Sequence, residues 1–331
     1  MSDRSIPTKP LVVVRDDADT GALKGGVVAI GNFDGVHRGH RAVIGAAVDR
    51  ALALGRPAVA LTFEPHPRQF LRPQEPMFRL SDQRAKLRLL AAAGLDGALV
   101  LAFDSSLAGL SAEEFVARIL VGRLAVSGAV IGFDFHYGKD RGGSPRFLAA
   151  EGRRLGFAVE IVGPLEDEGR PVSSSAIRAA LAAGSVVEAA ELLGYPWFVT
   201  ATVVHGDKRG RELGYPTANL RLDPDCGLKQ GIYAVRVGIE GALYDGVASF
   251  GRRPTFDDGP PLLEVHLFDV SRDLYGARLD VAFIGWIRSE LKFDDIADLV
   301  RRMDQDSRLA RAALARSGTV FPALGTFREA R

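Results

Sequence analysis

Two histidines three residues apart, His37 and His40, close the run Gly31-Asn32-Phe33-Asp34-Gly35-Val36-His37-Arg38-Gly39-His40. An i, i+3 pair shares one face of a helix, so both imidazoles can reach one bound phosphate. Glycines in such a turn let backbone N–H groups approach an anion, and a helix N-terminus favours its negative charge. Transfer of a nucleotidyl group suits this set. That reaction needs little acid–base work. It needs donors around the α-phosphate and the leaving pyrophosphate, with a divalent cation. A zinc site on these histidines is the weaker reading, because no cysteine and no HExxH pattern accompanies them.

Three further groups could do chemistry. Ser173, Ser174 and Ser175 open a helix signal that carries Arg178. Hydroxyls and a cation at a helix start suit a phosphate. The same serines would also serve as an ordinary N-cap beside an exposed arginine; the upstream histidine motif favours phosphate. Gly206-Asp207-Lys208-Arg209-Gly210-Arg211 continues through Gly214-Tyr215-Pro216-Thr217-Ala218-Asn219. Its glycines and cations suit a polyphosphate. Thr217 and Asn219 alternate by two, which puts both side chains on one face of a starting strand. Their oxygens could ligate Mg²⁺. A solvated basic hairpin is the plainer alternative, and the Walker A order is absent. Glu264 sits in an apolar strand, Leu262-Leu263-Glu264-Val265-His266-Leu267-Phe268. It is either part of a polar strand face or a general base for an alcohol attacking a γ-phosphate.

The elements that must position these groups read as two textures. Strands at Val27–Ile30, Ala58–Phe63, Ala98–Phe103, Ala129–Gly132 and Ala158–Val162 alternate with helices at Gly39–Leu54, Asp82–Ala93, Ala112–Val121 and Pro145–Leu155. Ser111 with Glu114 reads as a capping box, and Gly55 as a helix stop. Short apolar strands separated by helices predict a parallel, doubly wound sheet, with ligands beyond the carboxyl ends of its strands. After a helix at Ser173–Ala183, the texture changes near Gly184. A helix at Val186–Leu193 precedes strands at Phe198–Val204, Tyr233–Ile239, Leu243–Ser249, Leu262–Phe268 and Leu279–Ile284. That pattern predicts an antiparallel β-barrel or sandwich, closed by a helix at Asp294–Arg302. The expected division is residues 1–184, 185–306 and a tail, 307–331, with a possible helix at Leu309–Arg316 and no functional reading.

Composition excludes more than it selects. With 331 residues there is room for two cores. Lys+Arg is 42 against 41 Asp+Glu, so charge gives no argument for nucleic acid or a membrane surface. The single cysteine, Cys226, excludes an intramolecular disulfide. Met1–Pro10 lacks an apolar signal core, and no apolar run reaches the length of a membrane span. The expected location is the cytoplasm. Nothing in the sequence specifies an oligomeric state.

These motifs carry a resemblance. Gly31–His40 with Ser173–Arg178 is similar to the HxGH-type nucleotidylyltransferases. Adding Thr62-Phe63-Glu64-Pro65-His66-Pro67 and Ile131–Gly143, the first half resembles the FMN adenylyltransferase module of the bifunctional bacterial riboflavin kinase/FAD synthetases. The resemblance implies that His37, His40, Ser174 and Arg178 contact ATP phosphates. It implies that Asn32, Phe33 and Asp34 line the nucleotide cleft, that Phe63, Pro65 and Pro67 border the flavin, and that Asp134 orients the substrates. His136 departs from the pattern, where arginine is expected, and so does Ser144-Pro145, where an acidic residue is commoner. The second half resembles the riboflavin kinase domain over about Gly194 to Asp306, through Gly231–Val235, Gly246–Phe256, Asp273–Gly276 and Arg288–Phe293. There the implied roles are ATP binding for Gly206–Gly210, Mg²⁺ binding for Thr217 and Asn219, the base for Glu264, and flavin capping for Arg288. The implied substrates are riboflavin, FMN and ATP, with Mg²⁺ as cofactor. A rival reading, an adenylyltransferase for another small substrate, leaves the second half as a non-catalytic flavin-binding domain.

Overall fold

The computed structural model describes residues 9–16, 18–167, 169–206, 214–251, 261–270, 272–293, 295–318 and 320–330. They form two compact units. The first holds the described residues up to Met77, Gln83–Ser173 and those from Ala323 on; the second holds Phe78–Asp82 and Ser174–Pro322. The contacts therefore divide the chain between Ser173 and Ser174. The change of texture near Gly184 comes ten residues later in the chain.

The first unit is built on β1 (Leu11–Arg15), β2 (Val27–Ile30), β3 (Ala58–Glu64), β4 (Gly97–Ala102), β5 (Gly128–Gly132) and β6 (Ala158–Val162). A C-terminal strand, Phe327–Glu329, joins them, making a seven-stranded sheet. Every pairing in it is parallel. Val27–Ile30 is buried throughout, as a parallel strand covered on both faces must be. Strand order reverses at β2: β3 and β4 lie to one side, β5 and β6 to the other. Doubly wound sheets bind ligands outside the carboxyl ends at such a point. Helices α1 (Arg38–Leu54), α2 (Pro67–Leu71), α3 (Gln83–Ala92), α4 (Ser105–Ala108), α5 (Ala112–Phe115) and α6 (Pro145–Leu155) connect these strands. Gly55 ends α1 in a left-handed conformation, and both hydrogen bonds of the Ser111/Glu114 capping box form. The helix predicted over Ala112–Val121 continues past α5 as a π-helical stretch, Val116–Arg123.

Two strands escaped the five-strand sequence reading. β1 is a plain apolar run. The C-terminal strand has no apolar pattern. Only its ladder with β1, Leu11↔Phe327 to Val13↔Glu329, makes it a strand.

A two-strand hairpin, β7 (Glu166–Asp167) and β8 (Arg170–Pro171), leads to the second unit. That unit begins with α7 (Ser174–Ala183) and α8 (Val186–Leu193), which pack together. Six strands follow: β9 (Phe198–Val204), β10 (Ala218–Arg221), β11 (Gly231–Ile239), β12 (Ala242–Gly251), β13 (Leu262–Leu267) and β14 (Arg278–Arg288). They close an antiparallel barrel in the order β10-β13-β12-β11-β14-β9. The final helix, α9 (Ile296–Arg316), packs on β11, β12 and β14. The C-terminal strand Phe327–Glu329 is β15. The two helices predicted near 294–302 and 309–316 are thus one. No glycine or proline interrupts 303–308. The polar residue that breaks the apolar stripe there, Asp306, is buried against Arg288. Phe78–Asp82 belongs to this unit because Trp197 Nε1 donates to the Leu80 carbonyl (2.8 Å) and the Phe78 ring meets Trp197 edge-on.

Candidate active sites

In the first unit, the turn after β2 is held in a conformation few sequences adopt. Phe33, Gly35 and Val36 have φ of 50°, 78° and 39°. A β-branched residue in that region is strained, and such strain persists only where surroundings over-determine it. They do: Val36 N donates to the Phe33 carbonyl (3.2 Å), and Arg41 Nε donates to the Val36 carbonyl (3.3 Å). Gly31 lies against the Phe33 ring, where a Cβ would come within 3.1 Å. Asp34 and His37 are buried, only 3% and 6% exposed, so this acid and this imidazole are part of the turn and not surface decoration.

His37 caps α1. Its Nδ1 accepts from the His40 N–H (3.3 Å). Nδ1 must therefore carry a lone pair, which leaves Nε2–H as the donor the ring presents. The positive end of the helix dipole favours this neutral form. The two imidazoles stack, centroids 3.6 Å apart and 19° from parallel. Phe33 meets His40 edge-on at 5.4 Å. Gly39 sits beside the Val172 carbonyl, 3.3 Å from where a Cβ would stand. Arg38 pairs with Asp167 of the β7–β8 hairpin (2.9 Å).

The flavin-side candidates lie at the end of β3 and beyond β3 and β5. Phe63 is buried in the core cluster and meets Phe103 edge-on. Pro65 is exposed and follows a cis peptide bond; Pro67 is half-buried and starts α2. Asp134 is exposed, and its carbonyl accepts from Nδ1 of His136 (2.9 Å). The departing His136 thus braces its own turn. Tyr137 and Gly143 pair across this loop, and burial pushes the Tyr137 phenol up.

Sequence reasoning missed Lys86 and gave Glu64 no role. Lys86 is buried on α3 and pairs with Glu64 Oε1 at 2.7 Å. One signal pointed to it: Lys86 shares the apolar face of Leu89 and Leu90 at i+3 and i+4.

In the second unit, Ser174 opens α7, Ser175 is exposed, and Arg178 Nε donates to the Phe78 carbonyl (2.5 Å). Ser173 falls in the first unit. In the barrel, ladder register puts Asn219 opposite Glu264 and Glu264 opposite Ser249. Directly opposed residues share a face, so the three form a row across β10, β13 and β12. Leu263, Val265 and Leu267 take the other face and fill the core. Glu264 is half-buried. Asn219 is buried. Its Nδ2 donates to the Thr217 carbonyl (3.3 Å), and its Oδ1 has no hydrogen-bond partner among the described residues. A buried amide oxygen left so costs about 1–3 kcal/mol. It fits a hard cation, which takes oxygen ligands. Gly206 lies against the same amide, leaving no room for a Cβ. Among the described residues no cluster of three or more acidic, histidine or cysteine side chains could hold a metal.

The approach to this row is pinned. His266 Nδ1 donates to the Pro216 carbonyl (2.9 Å), Tyr215 packs on His266, and the Tyr215 hydroxyl donates to Asp304. Burial first, then this carboxylate, hold the Tyr215 phenol above its ordinary value. Arg288 forms a fork on Asp306, with Nε at 2.9 and 3.1 Å and a terminal nitrogen at 2.6 Å. That pair ties β14 to α9. Lys208 and Gly210 lie outside the described residues, as do residues 252–256.

Known proteins with this arrangement decide the family. Residues 19–176 match the family model for FAD synthetase, and residues 193–314 match that for riboflavin kinase. The bifunctional riboflavin kinase/FMN adenylyltransferase of Pseudomonas fluorescens is 43% identical over 89% of this chain and 94% of its own. That of Escherichia coli K12 is 38% identical over 87% and 92%. This chain belongs to the bifunctional riboflavin kinase/FMN adenylyltransferase family. Its activities make FAD by way of FMN: ATP phosphorylates riboflavin, and a second ATP adenylylates the product with release of pyrophosphate. A solved Streptococcus pneumoniae chain titled a macrolide-efflux protein shares the fold, with a TM-score of 0.82 and 34% identity over 91% of this chain and 99% of that one. No described helix here is long and apolar enough to cross a membrane.

Proposed function

We propose that the two reactions divide between the two textures of the chain, adenylyl transfer in residues 1–184 and phosphorylation in residues 185–306. In the barrel, Glu264 accepts the proton of the riboflavin primary hydroxyl as that oxygen attacks the γ-phosphorus of ATP, and ADP leaves. Thr217 and Asn219 hold Mg²⁺, which supplies neutralisation and alignment of phosphate oxygens when bound. Gly206, Lys208, Gly210 and Pro216 belong to the loop that holds this ATP, and Arg288 sets the flavin cap through the helix it anchors. The observation that carries this reading is the buried Asn219 Oδ1 in one row with Glu264.

In the first unit, an FMN phosphate oxygen attacks the α-phosphorus of ATP and pyrophosphate leaves. Nε2–H of His37, its stacked neighbour His40 and the N-terminus of α1 donate to the phosphate oxygens as charge shifts. Gly31, Asn32, Phe33 and Asp34 shape the nucleotide cleft. Phe63, Pro65, Pro67 and Asp134 face the flavin. Ser173 adds a phosphate contact; Ser174, Ser175 and Arg178 belong to the second unit. A cytoplasmic location suits substrates that include ATP and a chain whose lone Cys226 is a thiol.

The test is chromatography of flavins formed from riboflavin, ATP and Mg²⁺. Glu264→Ala is expected to slow FMN formation by about 10²–10⁴-fold and to leave FAD formation from added FMN intact. Equal loss of both activities in a folded variant rejects the division.

A further inference from the structure

The reactions as described make no use of Lys86, yet Lys86 is 1% exposed and reaches the start of the histidine turn at Asn32. Its ammonium pairs with Glu64 Oε1 (2.7 Å) and donates to the Phe63 carbonyl (3.2 Å), to Thr62 Oγ1 (3.4 Å) and to the Asn32 carbonyl (3.5 Å). Thr62 Oγ1 in turn donates to the Asn32 carbonyl (3.2 Å). These atoms come from the start of the turn after β2 and from the carboxyl end of β3. The first carries His37 and His40; the second runs into Pro65 and Pro67. One buried cation therefore joins the two loops assigned to ATP and to FMN.

A fold alone does not ask for this. Burying a charge is unfavourable unless it is paired, and an apolar side chain of similar volume usually serves a core as well or better. Methionine would fill the same space on the apolar face of α3. What methionine could not do is hold two carbonyls from two loops at fixed distances. We propose that Lys86, with Glu64, is a positioning residue for adenylyl transfer: it sets the spacing of the two strand-end loops, and so the distance between the attacking FMN oxygen and the α-phosphorus. It acts through the backbone of Asn32 and Phe63 and touches no substrate. The inference rests on the reading that these loops bind ATP and FMN.

The test uses the full-length chain and reads FMN formation, FAD formation and thermal unfolding separately. Lys86→Met leaves Glu64 without its cation, and both stability and FAD formation are expected to fall. Lys86→Met/Glu64→Gln removes both charges. It is expected to regain thermal stability near that of the parent. Its kcat for FAD formation should stay down by about 10- to 100-fold even at saturating ATP and FMN, because a displacement near 1 Å misaligns an in-line attack. FMN formation should not change. A double variant with parental kcat for FAD formation overturns the proposal. Should that variant not fold, Thr62→Val carries the test, since it removes the bridging hydroxyl and keeps the ion pair. A fall of about threefold or more in FAD kcat supports the role, on the same alignment argument; an unchanged kcat ends it. His37→Ala in the same assay separates the two ideas. Normal FAD formation there removes the site reading itself. Loss there beside a normal double variant removes only the positioning role.

Discussion

In the first unit the candidate groups other than Phe63 leave the sheet. His37 and His40 lie beyond the end of β2, and Pro65 and Asp134 beyond the ends of β3 and β5. In the barrel the candidate base stays in the sheet, with Asn219, Glu264 and Ser249 opposed across three neighbouring strands. The difference follows from strand direction. Parallel strands all finish at one edge, which gathers their loops and helix N-termini around an anion. Antiparallel strands finish at both edges, so no one end collects them. What gathers groups there is ladder register, which lines side chains up along a face. Donors in the first site are dipoles and a neutral imidazole fixed by a cap. The candidate groups in the barrel are acceptors, a carboxylate and an amide oxygen fixed by pleat.

The sharpest way to break this comparison is Glu264→Ala. A general base contributes about 10²–10⁴-fold, so riboflavin phosphorylation should fall by that amount. Conversion of added FMN to FAD should hold within about twofold, as expected if Glu264 serves phosphorylation alone. A fall in both, in a variant whose unfolding temperature is unchanged, would mean that the barrel row serves both reactions.

Next in size is His37→Ala. Losing one preorganised donor to a developing charge costs about 10²–10³ in rate. The variant also loses a cap, which costs about 1 kcal/mol of stability. FMN should accumulate while FAD formation lags, as seen by following both flavins over time. His40→Ala should act in the same direction and less than additively, because the stacked rings are one arrangement. Unimpaired FAD synthesis in the double variant would remove the turn from the chemistry.

Asn219→Ala sharpens the metal half of the comparison. Disturbing even the surroundings of a metal ligand costs about 10- to 100-fold in affinity, so the Mg²⁺ concentration for half-maximal kinase activity should rise at least about tenfold. Stability without metal should change by no more than about 1 kcal/mol, since the substitution also removes an unsatisfied buried oxygen. A titration of kinase rate against Mg²⁺ that superimposes on the parent's would refute the assignment.

How much of this was legible in the sequence follows the same division. The histidine turn is contiguous, so ten residues displayed both its donors and its glycines. Thr217, Asn219 and Glu264 could each be singled out, yet the face that Asn219 and Glu264 share with Ser249 exists only in the register of three strands. Lys86 was hidden for another reason: helical periodicity places it in the core, and its partners, Glu64 and the Asn32 carbonyl, are far along the chain. Phe78–Asp82 and Phe327–Glu329 were unreadable because each joins a body remote in sequence. Nothing local marks such a visit. Asp306 misled outright, since a polar residue inside α9 suggests a break until its arginine is known.

The smallest effect concerns that visiting strand. Arg15 at the end of β1 forms a fork on Glu329 of β15, with Nε at 3.2 and 3.3 Å and a terminal nitrogen at 2.9 Å. Both side chains are well exposed, 39% and 51%, so solvent screens the pair. Exposed ion pairs contribute about 0.2–1 kcal/mol. The ladder from Leu11↔Phe327 to Val13↔Glu329 does not depend on it. Arg15→Ala should therefore lower the unfolding temperature slightly and leave both rates unchanged. A larger loss confined to FAD formation would show that the edge strand is held by its charge and that the first unit depends on it for activity. The two units would then differ in one more respect: the antiparallel barrel closes its own edges, whereas the parallel sheet takes an edge strand from the far end of the chain.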